Sequence, residues 1–139
     1  MRIFFDTNIF LDVAQGREPF YEDSAKLIRF AHHENVQAFI SWHSMATLFY
    51  ILAQPWGGER AKNFLSDVLL WAELAPTSQI NALRALQMEG NDFEDSLQIQ
   101  CAIAAYCDLI VTRNAKDFGE STIPVLTPKE FLAQGHSFL

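Results

Sequence analysis

Short apolar runs and amphipathic stretches alternate along this chain, and the alternation predicts its elements. Residues 2–5, 36–40 and 109–111 are dominated by apolar and β-branched side chains, the pattern of strands buried on both faces. Residues 73–75 and 124–126 are shorter runs of the same kind. Between these runs lie helical patterns at 7–14, 21–34, 41–52, 59–72, 78–89 and 93–106. In the second helix Ala25, Ile28 and Ala31 share a face; in the third, Met45, Leu48, Phe49 and Leu52 follow the i, i+3, i+4, i+7 spacing. The fourth carries Ala61, Phe64, Leu65, Val68 and Ala72. Ser41 reads as an N-cap, Pro55-Trp56-Gly57-Gly58 as a break, and Gly90-Asn91 as a helix stop. Thr127-Pro128-Lys129-Glu130 opens a last helix with a capping box and proline at N1. Strands alternating with helices of this length predict an α/β domain with a parallel sheet and right-handed crossovers.

Composition sharpens that picture. The 139 residues show no linker or repeat and predict one domain, 1–139. With 50% hydrophobic residues and twelve phenylalanines the chain has an aromatic-rich core and is not a disordered sequence. Cys101 and Cys107 fall in one helical pattern but point in different directions, so they read as reduced core residues of a cytoplasmic chain. Asp6 and Asp12 interrupt the first apolar stretch, which excludes a signal segment there, and no run reaches the roughly 20 residues that span a bilayer. The net charge of −7 argues against binding nucleic acid by bulk attraction. Bound divalent cations that invert the local field, or a basic partner, reconcile that charge with a polyanionic substrate.

The acids carry the candidate chemistry. Asp6 ends the first strand, Asp117 follows the 109–111 strand, and Asp95 sits in the first turn of the helix between them. Ligands of open parallel sheets bind beyond the carboxyl ends of the strands. Carboxylates gathered at that edge repel one another unless a cation joins them. Each acid also has a structural reading. Asp6 is a natural N-cap, and Asp95, three residues after Asp92, suits the positive end of a helix dipole. Glu94 lies about 100° from Asp95 around the helix, so Asp95 is expected to enter the cluster and Glu94 to support it. Arg113 and Lys116 flank the acids and offer contacts to substrate phosphates. His32 and His33 read as surface residues. None of the four histidines, His136 included, stands at metal-ligand spacing with cysteine. Trp42 and His43 start a helix near the same edge and could stack on a base, but core packing is the expectation for Trp42.

The strings Phe5-Asp6-Thr7-Asn8-Ile9-Phe10-Leu11-Asp12, Asp92-Phe93-Glu94-Asp95-Ser96-Leu97-Gln98 and Val111-Thr112-Arg113-Asn114-Ala115-Lys116-Asp117-Phe118, in this order, resemble those of PIN domains, the fold of VapC-type toxins. The resemblance implies a three-layer α/β/α sandwich around a central parallel sheet of about five strands. It also implies Mg²⁺ or Mn²⁺, endonucleolytic cleavage of RNA, an antitoxin partner and a homodimer. Asp6, Asp95 and Asp117 match the family's catalytic, metal-holding acids, while Asn8 and Asn114 match polar positions beside them and Thr112, just past the 109–111 strand, is read as supporting them. One position departs: the glutamate usual in the third helix is Thr47 here, which removes a carboxylate and predicts weaker metal binding. A PIN-like module that binds RNA or protein without cutting is the alternative. A phosphohydrolase with an aspartate nucleophile is disfavoured, because it needs a second Asp where Asn8 stands.

Overall fold

The computed structural model describes residues 1–33, 35–90 and 92–135; the expectations touching Glu34, Asn91 and His136 lie outside them. Five strands form one wholly parallel sheet: β1 (Arg2–Phe5), β2 (Gln37–Ile40), β3 (Ala72–Leu74), β4 (Leu109–Val111) and β5 (Val125–Leu126), in the order β3-β2-β1-β4-β5. The helices among the described residues are α1 (Thr7–Ala14), α2 (Tyr21–Ala31), α3 (Trp42–Trp56), α4 (Gly58–Val68), α5 (Gln79–Gln87), α6 (Phe93–Ala104) and α7 (Pro128–Ala133), with a 3₁₀ turn at Ala115–Phe118.

Alternation along each strand divides the core in two. Ile3 and Phe5 of β1, Ala38 and Ile40 of β2, and Leu109 and Val111 of β4 face one layer, where they meet Ile9, Phe10, Leu27, Leu48, Leu52, Leu65 and Phe131. Phe4, Phe39 and Ile110 face the other, against Ile99, Cys101 and Ala102 of α6. This is the expected three-layer α/β/α arrangement. From β1 the chain winds outward to β2 and β3, then returns through α5 and α6 to lay β4 on the other side of β1. The winding therefore reverses between β1 and β4, and the crevice of a doubly wound sheet opens at such a reversal.

Local expectations hold where caps mark them. Ser41 caps α3 by accepting from Ser44 N at 3.1 Å, and Thr127 and Glu130 close a capping box on α7. They fail where packing overrides pattern. Pro55 and Trp56 continue α3, because a proline in the last turn forfeits only one backbone bond, and the break waits for Gly57 at φ +85°. Trp56 is no loose turn residue, since it packs edge-on to Phe64 at 5.8 Å beneath Arg60. Ala72 opens β3 rather than closing α4, which ends at Val68. The buried face of α2 centres on Ser24, Leu27 and Ala31, one step round from the predicted stripe. Helix α6 ends at Ala104, so Cys107 lies beyond it; Tyr106 turns the chain at φ +54° while Cys107 N donates to Ala102 O at 3.0 Å. Both cysteines are free and buried, as expected.

Candidate functional site

The carboxyl ends of β1 and β4 are pinned together at the reversal point. Asp6 N donates to Val111 O at 3.0 Å, continuing the sheet one residue past the strand. Asp6 then caps α1, and its carboxylate is held on both oxygens. Oδ1 accepts from Thr7 N at 2.8 Å and Gln98 Nε2 at 2.9 Å; Oδ2 accepts from Thr112 Oγ1 at 2.7 Å. Only 5% of Asp6 is exposed. A polar knot surrounds it: Gln98 Nε2 also reaches the hydroxyls of Thr7 and Ser44, each at 3.2 Å. Ser44 is hydrogen-bonded to Thr7 and to Ser41, each at 2.6 Å. The Asp6 side chain therefore has one orientation, fixed by α1, α3, α6 and the loop after β4 together.

The other acids lie above this knot. Asp92 caps α6, accepting from Glu94 N at 2.9 Å and Asp95 N at 3.4 Å. Asp95 and Asp117 share an open cavity of about 580 Å³ with Glu89, Asp92, Glu120 and Lys116. Asp6 is not among the lining residues, but its charge reaches them. Burial, then Asp92, Asp6, Asp117 and Glu94 in that order, push the Asp95 carboxyl from the usual 3.8 to about 7. Glu94 is also raised, by burial first and then by Asp6 and Asp92, while a hydrogen bond with Thr7 opposes the rise. Both first-turn acids of α6 thus feel Asp6, where the helical angle between them suggested that only one would. The longer glutamate reaches back over the helix end towards Thr7.

The donor set fits a hard divalent cation: carboxylate oxygens from separate elements, crowded enough to hold a proton at neutral pH without one. Among the described residues, no three of these side chains close into a ready-made coordination shell. Holding an ion between Asp6, Asp95 and Asp117 therefore requires the Asp95 and Asp117 side chains to swing towards the fixed Asp6.

The remaining candidates divide. Asn8 accepts from Arg113 N at 3.2 Å and donates to Thr112 at 3.4 Å, and Asn114 N donates to Thr112 at 3.2 Å, so all three shape the loop beneath the acids. Lys116 faces the acid-lined cavity. Arg113 turns elsewhere: its guanidinium pairs with buried Asp12 at 2.8 Å and lies 4.5 Å above the Phe20 ring. Burial raises the Asp12 carboxyl, against the pull of Arg113 and Arg17. Thr47 donates to His43 O at 3.3 Å, a bond back along its own helix. Trp42 is 69% exposed rather than packed in the core. His43 is held below its usual pKa by burial, opposed by Asp6 and by a hydrogen bond with Gln98. Sequence reasoning missed Gln98, Ser44, Thr7 and Asp12. The signal for Gln98 was its place one turn after Asp95 on the same face.

Comparison with known proteins agrees with this geometry. A family model described as "PIN domain" matches residues 2–116. Among solved structures, a toxin–antitoxin complex from Klebsiella pneumoniae matches with a TM-score of 0.68 and 26% identity, covering 91% of this chain and 97% of that one. VapBC2 from Rickettsia felis, bound to a DNA fragment from its promoter, gives 0.66 and 22% over 91% and 98% of the two chains. The sarcin–ricin-loop-cleaving toxin VapC20 of Mycobacterium tuberculosis gives 0.61 and 12% over 78% and 86%. No curated protein matches the chain.

Proposed function

The chain belongs to the PIN domain family, and from that premise we propose that it is a divalent-metal-dependent endoribonuclease, the toxin of a toxin–antitoxin pair. The observation that carries this reading is the acid-lined crevice at the reversal of a parallel sheet, with Asp95 pushed up to about 7 by its neighbours. Structural neighbours that are toxin–antitoxin complexes, and a further one named as a sarcin–ricin-loop-cleaving toxin, support it.

Asp6, Asp95 and Asp117 would hold Mg²⁺ or Mn²⁺, with Glu94 as a further oxygen donor. When bound, such an ion activates water and offsets charge on the phosphodiester. The chain's own residues do the rest. Gln98, Thr112 and the Thr7 amide hold Asp6 in one orientation. Lys116 offers its ammonium to a backbone phosphate at the cavity wall. The net charge of −7 is set against RNA until metal enters. The same charge suits a basic antitoxin segment, and the protein is read as a cytoplasmic homodimer. No helix among the described residues is long and apolar enough to cross a membrane.

Cleavage of a mixed RNA pool with Mn²⁺, with and without chelator, tests the proposal. Asp6→Asn and Asp95→Asn should each abolish chelator-sensitive cleavage; if both variants cut at the parent rate, the acids are not the site. The second reading, a PIN-like module that binds without cutting, draws on Thr47, whose hydroxyl is engaged by a backbone carbonyl where relatives carry a carboxylate. A Mn²⁺ titration with no saturation at millimolar metal would favour it.

A further inference from the structure

A second cavity, of about 360 Å³, is lined by the start of α3, by α5 with the residues just before it, and by α6. Trp42, His43, Ser78, Asn81, Leu97 and Gln100 are among the residues that line it, and among the described residues none that lines it is an acid, a lysine or an arginine. In a chain of net charge −7, beside a cavity walled by five acids, a neutral lining sets this space apart.

Three features give it a chemistry. Trp42 lines it and is 69% exposed, at the first position of a helix whose apolar partners lie further along. Gln100, only 7% exposed, has an amide with poor partners: its Nε2 reaches Met88 Sδ at 3.7 Å, and its Oε1 receives Asn81 Nδ2 at 3.5 Å. A buried amide so weakly satisfied retains both a donor and an acceptor for a ligand. Finally, the cavity touches the acid site through one short relay, in which His43 Nε2 bonds Ser41 Oγ at 3.3 Å and Ser41 bonds Ser44, which meets Gln98 and so Asp6.

We infer that this cavity receives a nucleobase next to the phosphodiester held at the acids. Trp42 stacks on the face of the base, and the Asn81–Gln100 amide pair reads its edge. The inference deepens the ribonuclease reading and rests on it for the identity of the strand. A flat, uncharged heterocycle with donors and acceptors on its rim satisfies both indole and amides. An aliphatic side chain from a protein partner would leave the amides unpaired against hydrocarbon.

The test uses the full metal-free chain in chelator, so that cleavage cannot intervene. Saturation-transfer NMR with each of the four common nucleosides should show transfer to base protons in excess of ribose protons for at least one of them. Trp42→Ala should weaken that binding about tenfold or more, and Trp42→Phe should retain it. Trp42 is at the surface, so both variants should fold. Absence of transfer to every nucleoside, or undiminished transfer in Trp42→Ala, overturns the inference. So does displacement of Trp42 by an apolar peptide where nucleosides have no effect. Nucleoside binding without cleavage of RNA in Mn²⁺ would sink the ribonuclease reading and leave the base site standing; cleavage without nucleoside binding would do the reverse.

Discussion

Asp95 is the residue whose charge state the fold controls most visibly. Its carboxyl titrates at about 7 in the folded chain against an ordinary 3.8. Between those values the folded state holds a proton that the unfolded state has lost, so stability falls as pH rises through the window and levels off above it. Asp95→Asn should therefore stabilise the metal-free protein at pH 8 by on the order of 1 kcal/mol, the shift being discounted for partial exposure, and have no such effect at pH 4. Thermal melts at the two pH values check this; equal shifts at both would refute it. On the proposed function Mn²⁺ would compete with that same proton, so its affinity should climb as pH passes 7. Below Asp95, Thr112 is fully buried and supplies the only donor to Asp6 Oδ2 among the described residues. Thr112→Val keeps the shape and strands the oxygen, which should cost about 1–3 kcal/mol in denaturant unfolding. Arg113 carries a comparable structural duty. Arg113→Met leaves the Asp12 carboxylate buried and unpaired, with an expected loss of about 3 kcal/mol, whatever it does to RNA binding.

Helix ends decide how far each element could be read from sequence. Ser41, Asp92 and Thr127 announce their helices by side-chain chemistry that acts over three residues, and the structure bears each out. Pro55 and Ala72 misled because they obey longer-range packing, α4 stopping four residues before β3 rather than running into it. The end of α6 carries a cost no pattern reveals. Tyr106, 82% exposed, adopts φ +54° at a turn position where glycine is favoured. Tyr106→Gly should raise stability by about 1 kcal/mol, and a melting temperature that falls would show the ring to be holding something. The same segment shields its thiols: burial lifts Cys101 to about 11 and Cys107 to about 12. Both should resist alkylation at pH 8 until the protein unfolds, since so little thiolate exists there.

At the scale of the whole molecule, strand alternation and the C-terminal-edge rule were legible, and they brought Asp6, Asp95 and Asp117 to one end of the sheet. The polar knot beneath them was not. Gln98 and Ser44 are ordinary helix residues until four elements close around them, and their role exists only in three dimensions. Nor did the sequence tell that Trp42 would stand in solvent, because an indole at a helix start is equally consistent with the core. The order of the acids has a temporal side. Asp6 leaves a translating ribosome early, but β1 cannot gain β4 as its neighbour, nor Asp6 its Thr112 donor, until residues 106 and more positions downstream have been made. A growing polypeptide therefore carries an incomplete crevice for most of its synthesis. The proposed cleavage can therefore begin only once Thr112 and Asp117 have joined Asp6 in the fold.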